Sequence, residues 1–223
     1  MDFFNNKKRV VQRAIVSAVA SSLIAFNSFA STSEDYEKAL TAFNQNEYDE
    51  AYIHLKNSLQ KDPENLAAKI LMGEILLING YLTAAEMEFV EALEMGADIN
   101  LLAEPLGNTW LFLNRYQEIV DFSDLNKLSG DAEREWLMIR ATACIRLQDE
   151  SCALRDYNTI VSRTPNFVPA INGLASIALQ NEDLSKATSL INKAMSLEPK
   201  NAITWRLKGQ LAYRQGDTDA ATA

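Results

Sequence analysis

Few side chains in this 223-residue sequence are equipped for covalent or metal chemistry. It holds one histidine, His54, and two cysteines, Cys144 and Cys152. A zinc site of the usual four-ligand kind needs more donors than that. A catalytic triad would have to use His54, yet His54 sits between Ile53 and Leu55 with no Ser or Cys partner suggested by the spacing. It reads as a solvated helix residue. The two cysteines lack the short Cys-x-x-Cys spacing that lowers a thiol pKa, so a redox-active pair is disfavoured. No glycine-rich phosphate loop occurs. Carboxylate runs such as Glu34-Asp35 and Glu133–Glu135 read as solvated charges at helix starts, where they suit the helix dipole. The chain therefore reads as non-enzymatic, with no catalytic residues, no metal site and no cofactor.

Charge and composition narrow the class further. Thirty acidic against 21 basic residues give a net charge of −9, which argues against a nucleic-acid partner. A hydrophobic content of 48% with only eight Gly and five Pro fits a folded, mostly helical chain. Residues 1–30 read as a signal peptide. Lys7, Lys8, Arg9 and Arg13 precede the apolar run Ala14 to Phe26, and Ser28-Phe29-Ala30 offers small residues to a signal peptidase. The run is shorter than the roughly 20 residues of a comfortable transmembrane helix. Cleavage after Ala30 takes the net charge from −9 to −12; retention as an anchor is the alternative. No cysteine near that site permits lipid attachment, and no later stretch is apolar enough to span a membrane. The expected location is exported and periplasmic.

A 34-residue period organises the rest. With Thr32 as position 1, repeats start at 32, 66, 100, 134, 168 and 202, with no insertion or deletion. Position 8 is always small: Ala39, Gly73, Gly107, Ala141, Ala175, Gly209. Position 20 is Ala except at Ile119, and position 24 is bulky in Leu55, Phe89, Tyr157 and Ile191 but fails at Ser123. Two antiparallel helices approach closely only where facing side chains are small, which explains positions 8 and 20. Position 15 holds Asn46, Gly80, Asn114 and Gly216, residues that tolerate the left-handed conformation ending a first helix. Pro63, Pro165 and Pro199 at position 32 stop the second helix. The predicted fold is all-α: a right-handed superhelix, or α-solenoid, of antiparallel helix hairpins over residues 32–223.

This pattern resembles the tetratricopeptide repeat family. Repeat 3 departs most, with Pro105 inside its first helix and Ser123, Asn126 and Asp131 in its second. Pro105 should kink that helix or shift its start; the repeat reads either as a hinge or as drift in a tolerant array. The sixth repeat supplies a first helix with Trp205, Gly209 and Tyr213 and then reaches Ala223, which reads as the front end of a longer array or a truncated product. The segments from Tyr36 to Pro63, Leu71 to Leu77, Ala85 to Asp98 and Leu113 to Glu118 look more narrowly like the N-terminal part of the repeat proteins of PEP-CTERM/exosortase systems. That resemblance implies an envelope role in exopolysaccharide production or protein sorting. The missing lipoprotein cysteine and the short chain depart from it.

In such a fold the first helix of each repeat lines a concave groove, with positions 2, 5, 9, 12 and 13 facing inward. This nominates Tyr36, Phe43, Asn44, Glu74, Asn108, Phe112, Arg146, Asn172, Arg206, Gln210 and Arg214, with Ser176 and Gln180 at equivalent positions. The early repeats offer apolar groups. Arg146, Arg206 and Arg214 offer a positive lining for a carboxylate. The expected partners are other envelope proteins or peptides, with acidic polysaccharide as a second ligand class. A general periplasmic assembly or chaperone-like adaptor is the competing function. The carboxylate clamp of the family's chaperone-tail binders, a Lys and an Asn at positions 5 and 9 of the first repeat, is replaced here by Tyr36 and Leu40. Cys144 and Cys152 fall at positions 11 and 19, the same height of one hairpin, so they are either a disulfide or two buried small hydrophobes.

Overall fold

The computed structural model describes residues 34–217. The expected signal peptide at residues 1–30, the first repeat's start at Thr32 and Ala221 at position 20 lie outside these residues. Eleven α-helices and no strand occur among the described residues. They divide into two compact units, one ending at Trp136 and one beginning at Leu137.

The first unit contains α1 (Glu34–Asn44), α2 (Tyr48–Lys61), α3 (Leu66–Ile78), α4 (Leu82–Glu94), α5 (Ile99–Phe112) and the short α6 (Tyr116–Val120). A 3-10 turn over Ser123–Lys127 follows. Helix α7 (Gly130–Arg146) carries the chain into the second unit, which continues with α8 (Glu150–Arg163), α9 (Val168–Gln180), α10 (Leu184–Leu197) and α11 (Ala202–Arg214). Consecutive helices pack as pairs, α1 on α2, α3 on α4 and α9 on α10, and first helices also touch across repeats, α3 on α5 and α9 on α11.

The pairing works because positions 8 and 20 lack bulk. Ala39, Ala51, Ala85, Ala141, Ala153, Ala175 and Ala187 are wholly buried. Leu55, Phe89 and Ile191 at position 24 fill the space beside them, fully buried as well. At Gly73 the fit leaves no room for a side chain: a methyl group there would lie 2.5 Å from the Phe89 ring. Across the junction of two repeats, Gly173 on α9 leaves equally little room beside Tyr157 on α8, also at 2.5 Å.

Each first helix ends in the same way. Asn46, Gly80, Asn114, Gln148, Glu182 and Gly216, all at position 15, adopt φ between 59° and 84°. The next residue's N–H reaches back to the carbonyl of position 11: Glu47 to Ala42, Tyr81 to Leu76, Arg115 to Trp110, Asp149 to Cys144, Asp183 to Ala178 and Asp217 to Ala212, at 2.8–3.0 Å. The position 15 N–H donates to position 12 in all six. This is the Schellman closure, which satisfies carbonyls left open at a helix end. Gln148 and Glu182 were not anticipated there, since neither residue type favours positive φ. Side-chain caps open several helices: Asn65 accepts from the Ala68 N–H, Asn201 from Thr204, Asp149 from Cys152 and Asp183 from Lys186.

Repeat 3 is built differently. Helix α5 runs from Ile99 through Pro105 to Phe112, so the proline neither interrupts the helix nor delays its start. The second helix collapses to five residues, α6. Ser123 at position 24 cannot fill the core, and Phe122 does so instead. Its ring lies 4.5 Å from that of buried Trp136 and 6.0 Å from Trp110. The edge-to-face contact of Trp110 and Trp136 closes this aromatic cluster. Asn100 ties the irregular segment down, accepting from the Ser129 N–H at 2.9 Å.

Two substitutions test this packing by urea unfolding. Gly73→Ala should cost about 1–3 kcal/mol, the usual range for overpacking a filled core. Gln148→Gly should gain about 0.5–1 kcal/mol by relieving a left-handed side-chain residue.

Candidate functional site

Inward-facing positions of the first helices form two chemically opposite surfaces, one in each unit. In the first unit the surface is acidic and partly dry. Glu74 on α3, Glu104 on α5 and Glu135 on α7 are each half-buried. Burial, then the neighbouring charge of Glu104, pushes the Glu74 carboxyl up to about 8. Burial, then Glu135, pushes Glu104 up to about 7. Tyr36 is half-buried on α1, and its phenol is raised by burial and then by Glu37 and Glu74. Asn108 and Phe112 are half-buried on α5, and Asn44 is exposed at the end of α1.

Phe43 is a correction. It was expected in the groove, but it is 5% exposed and turns into its own hairpin, edge-on to Tyr48 at 5.6 Å. Glu135 is another, since the solvated helix-start reading does not hold for it: it accepts from Arg134 at 3.1 Å and is half-buried. The spacing rule that selected Glu74 also covers Glu104 at position 5 and Glu135 at position 2. That rule is the signal in the sequence that points to both as lining residues.

In the second unit the surface is basic and concave. A cavity of about 780 Å³ lies between α9 and α11. Ser176, Leu179 and Gln180 come from α9, and Trp205, Arg206, Gly209, Gln210, Tyr213 and Arg214 from α11. The structure thus brings Arg206, Gln210 and Arg214 together as one wall. Trp205 and Tyr213 join them, at 48% and 70% exposure. Arg146 is exposed at the end of α7 and does not line this cavity.

Asn172 is buried rather than facing a groove. Its carbonyl accepts from the Thr204 hydroxyl at 3.1 Å, and its amide donates to Asn201 at 3.4 Å. A buried amide must be satisfied, and this network does so while pinning α9 to the start of α11. Trp205 is also held: its indole N–H donates to the Pro199 carbonyl at 2.7 Å, and the Lys208 ammonium lies 4.7 Å above its ring.

Among the described residues, metal-type donors converge at Cys144, Cys152 and Asp156, all buried and within 4.8 Å of one another. The two sulfurs are bonded, with Cα atoms 5.8 Å apart. Asp156 accepts two hydrogen bonds from Arg140, at 2.6 and 2.8 Å. Every donor is committed, so this cluster locks the α7–α8 hairpin and offers nothing to a metal. His54 is half-buried, with Nε2 3.7 Å from a Glu50 carboxylate one turn earlier.

The periodic hairpins have counterparts among known proteins. A family model described as tetratricopeptide repeat matches residues 36–99 and 172–223. The chain belongs to the tetratricopeptide repeat family. Similar solved structures of this fold include a tetratricopeptide repeat protein of Parabacteroides merdae, 22% identical, with a TM-score of 0.73 over 85% of this chain and 75% of that one. PilW, described as a widely conserved type IV pilus biogenesis factor, is 20% identical, with a TM-score of 0.70 over 84% and 87% of the two chains. YrrB, described as a tetratricopeptide repeat protein with an unusual peptide-binding site, is 17% identical, with a TM-score of 0.61 over 76% and 88%. These likenesses concern the fold. No curated protein matches this sequence. Among the described residues no helix of this tetratricopeptide repeat chain is long and apolar enough to cross a membrane.

The acidic surface makes a pH prediction. Both glutamates have folded values above the ordinary 4.5, so the folded state binds more protons than the unfolded one between pH 4.5 and about 8. Stability should then fall as pH rises through that window. Glu74→Gln and Glu104→Gln should each flatten the fall and stabilise the protein at pH 8.5, measured by urea unfolding at pH 5 and 8.5.

Proposed function

We propose that this chain is a non-enzymatic protein-interaction scaffold that holds a peptide segment of its partner between α9 and α11. The tetratricopeptide repeat fold is one suited to protein–protein interaction. The observation that carries the reading is the cavity itself. It is open and lined by first-helix side chains with cationic, carboxamide and aromatic groups, while the Asn172–Thr204–Asn201 network ties together the two helices that form it. Such a surface is built before a ligand arrives, which lowers the ordering cost of binding. YrrB, similar in fold, is described as having a peptide-binding site.

The proposed setting is the bacterial cell envelope, with the chain exported after cleavage at Ala30. The basic, apolar and small-residue order of residues 1–30 supports this. A bonded Cys144–Cys152 pair also suits an oxidising compartment. Within the envelope, the resemblance of Tyr36 to Pro63 and the following segments favours a part in exopolysaccharide production or PEP-CTERM protein sorting. A general periplasmic assembly adaptor is the second reading, favoured by the fold likeness to PilW.

Selection of a displayed random nonapeptide library on the full chain tests the peptide site. Enriched peptides should bind and should lose about tenfold affinity with Gln180→Ala or Tyr213→Ala. Binding untouched by either change would remove the cavity from the function.

A further inference from the structure

The α9–α11 cavity presents its polar groups at a spacing that selects among peptides. Arg206, Gln210 and Arg214 follow one another at four-residue steps on α11. At a rise of about 1.5 Å per residue, their stems stand about 6 Å apart, and the two arginines about 12 Å apart. An extended peptide advances about 3.3 Å per residue and projects every second side chain to the same side, at steps of about 6.6 Å. Residues i, i+2 and i+4 of an extended segment therefore meet Arg206, Gln210 and Arg214 in turn.

The charges ask for anions at both ends of that row. Arg206 has no carboxylate partner among the described residues. Arg214 is paired with Glu182 at 3.6 Å, but that carboxylate is 81% exposed. A surface pair of this kind is worth about 0–1 kcal/mol, so a ligand carboxylate displaces it readily. A guanidinium donates two parallel hydrogen bonds to a carboxylate, which gives direction as well as attraction. Between the arginines stand neutral groups. Gln210 on α11 and Gln180 on α9 both line the cavity, and each carboxamide offers a donor and an acceptor to a backbone amide. Ser176 adds a hydroxyl. The chemistry favours a polypeptide over an acidic polysaccharide, because the lining carries two carboxamides, each able to donate to and accept from a peptide backbone.

We infer that the α9–α11 cavity receives an extended acidic peptide segment whose two carboxylates are four residues apart, one on Arg206 and one on Arg214. The inference rests on the reading of this cavity as a peptide site. It narrows that site's ligands from peptides in general to a spaced pair of acids, held by charge at each end and by amide hydrogen bonds in the middle.

Fluorescence anisotropy on the full chain tests it with labelled nonapeptides of serine and alanine. One carries glutamates at i and i+4, one carries them at adjacent positions, and one carries glutamines at i and i+4. The i, i+4 peptide should bind about tenfold or more tightly than either of the others, and addition of salt should weaken it. Arg206→Gln and Arg214→Gln should each cost about tenfold, and circular dichroism should show both variants folded, since both side chains are exposed. Each arginine change should lose its effect when one particular glutamate of the peptide is replaced by glutamine, a different one for each arginine, as paired groups require. If the glutamine peptide binds equally well and remains sensitive to Tyr213→Ala, the cavity is a peptide site but the acidic pair is wrong. If none of the three peptides binds, while library-selected sequences do and are sensitive to Tyr213→Ala, the acidic pair is again wrong. If no peptide of any kind binds, the peptide reading itself fails. An oligogalacturonate that binds more tightly than the i, i+4 peptide and responds to the same arginine changes would overturn the inference in favour of a polysaccharide.

Discussion

The structure depends on how closely the two helices of one repeat can lie. Backbones come together only where facing side chains are small, and here they are small at two positions in every complete hairpin but that of repeat 3, where Ile119 occupies the second. Alanine at positions 8 and 20 contributes little area of its own. What it permits is the insertion of a large neighbour: Leu55, Phe89, Tyr157 or Ile191 reaches across to the opposite helix. Apolar burial stabilises the hairpin by roughly 25 cal/mol per Å², and it is available only after the backbones have approached. Gly73 beneath the Phe89 ring is the extreme case, where even a methyl group has no room. Within each unit first helices then touch across repeats, α3 on α5 and α9 on α11, and their remaining faces form the acidic surface of one unit and the basic cavity of the other.

The same geometry explains why the fold was legible in the sequence. Small residues at a fixed offset and bulky ones sixteen positions later leave a period that needs no partner sequence to read. The left-handed turns were half visible. Asn46, Gly80, Asn114 and Gly216 announce themselves by residue type, whereas Gln148 and Glu182 adopt the same φ because the neighbouring hydrogen bonds impose it. Tertiary structure overrides local preference there. Repeat 3 was legible as an exception and not as a solution. Ser123 and Asn126 warned that a second helix was in trouble, but nothing in the period said that Phe122, Trp110 and Trp136 would fill the space.

The faces of the first helices were legible in the sequence only in part, for a physical reason. Helical spacing assigns a side chain to a face, and on that basis Arg206, Gln210 and Arg214 fall together as the structure has them. Spacing does not say how deep the face lies. Asn172 shares position 5 with Arg206, yet Asn172 is covered by the following helix and bonded to Thr204 while Arg206 is exposed. The acidic surface shows the converse. Glu104 and Glu135 look like ordinary surface charge in one dimension. In three dimensions they stand beside other carboxylates in partly dehydrated ground, which shifts Glu104 and Glu74 well above their usual range.

The six Schellman turns have a consequence for how such a chain changes over generations. Each turn needs a left-handed residue at the fifteenth position of its repeat, and every repeat meets this with no spacer between repeats. Loss or gain of a single codon inside a helix would place the wrong residue at the turn and rotate every side chain beyond it. Duplication or loss of 34 codons would leave each turn, each small residue and each capping side chain in place. The cheapest heritable change to this architecture is therefore a change in the number of units, which alters the length of the recognition surface while leaving the rules of its construction untouched.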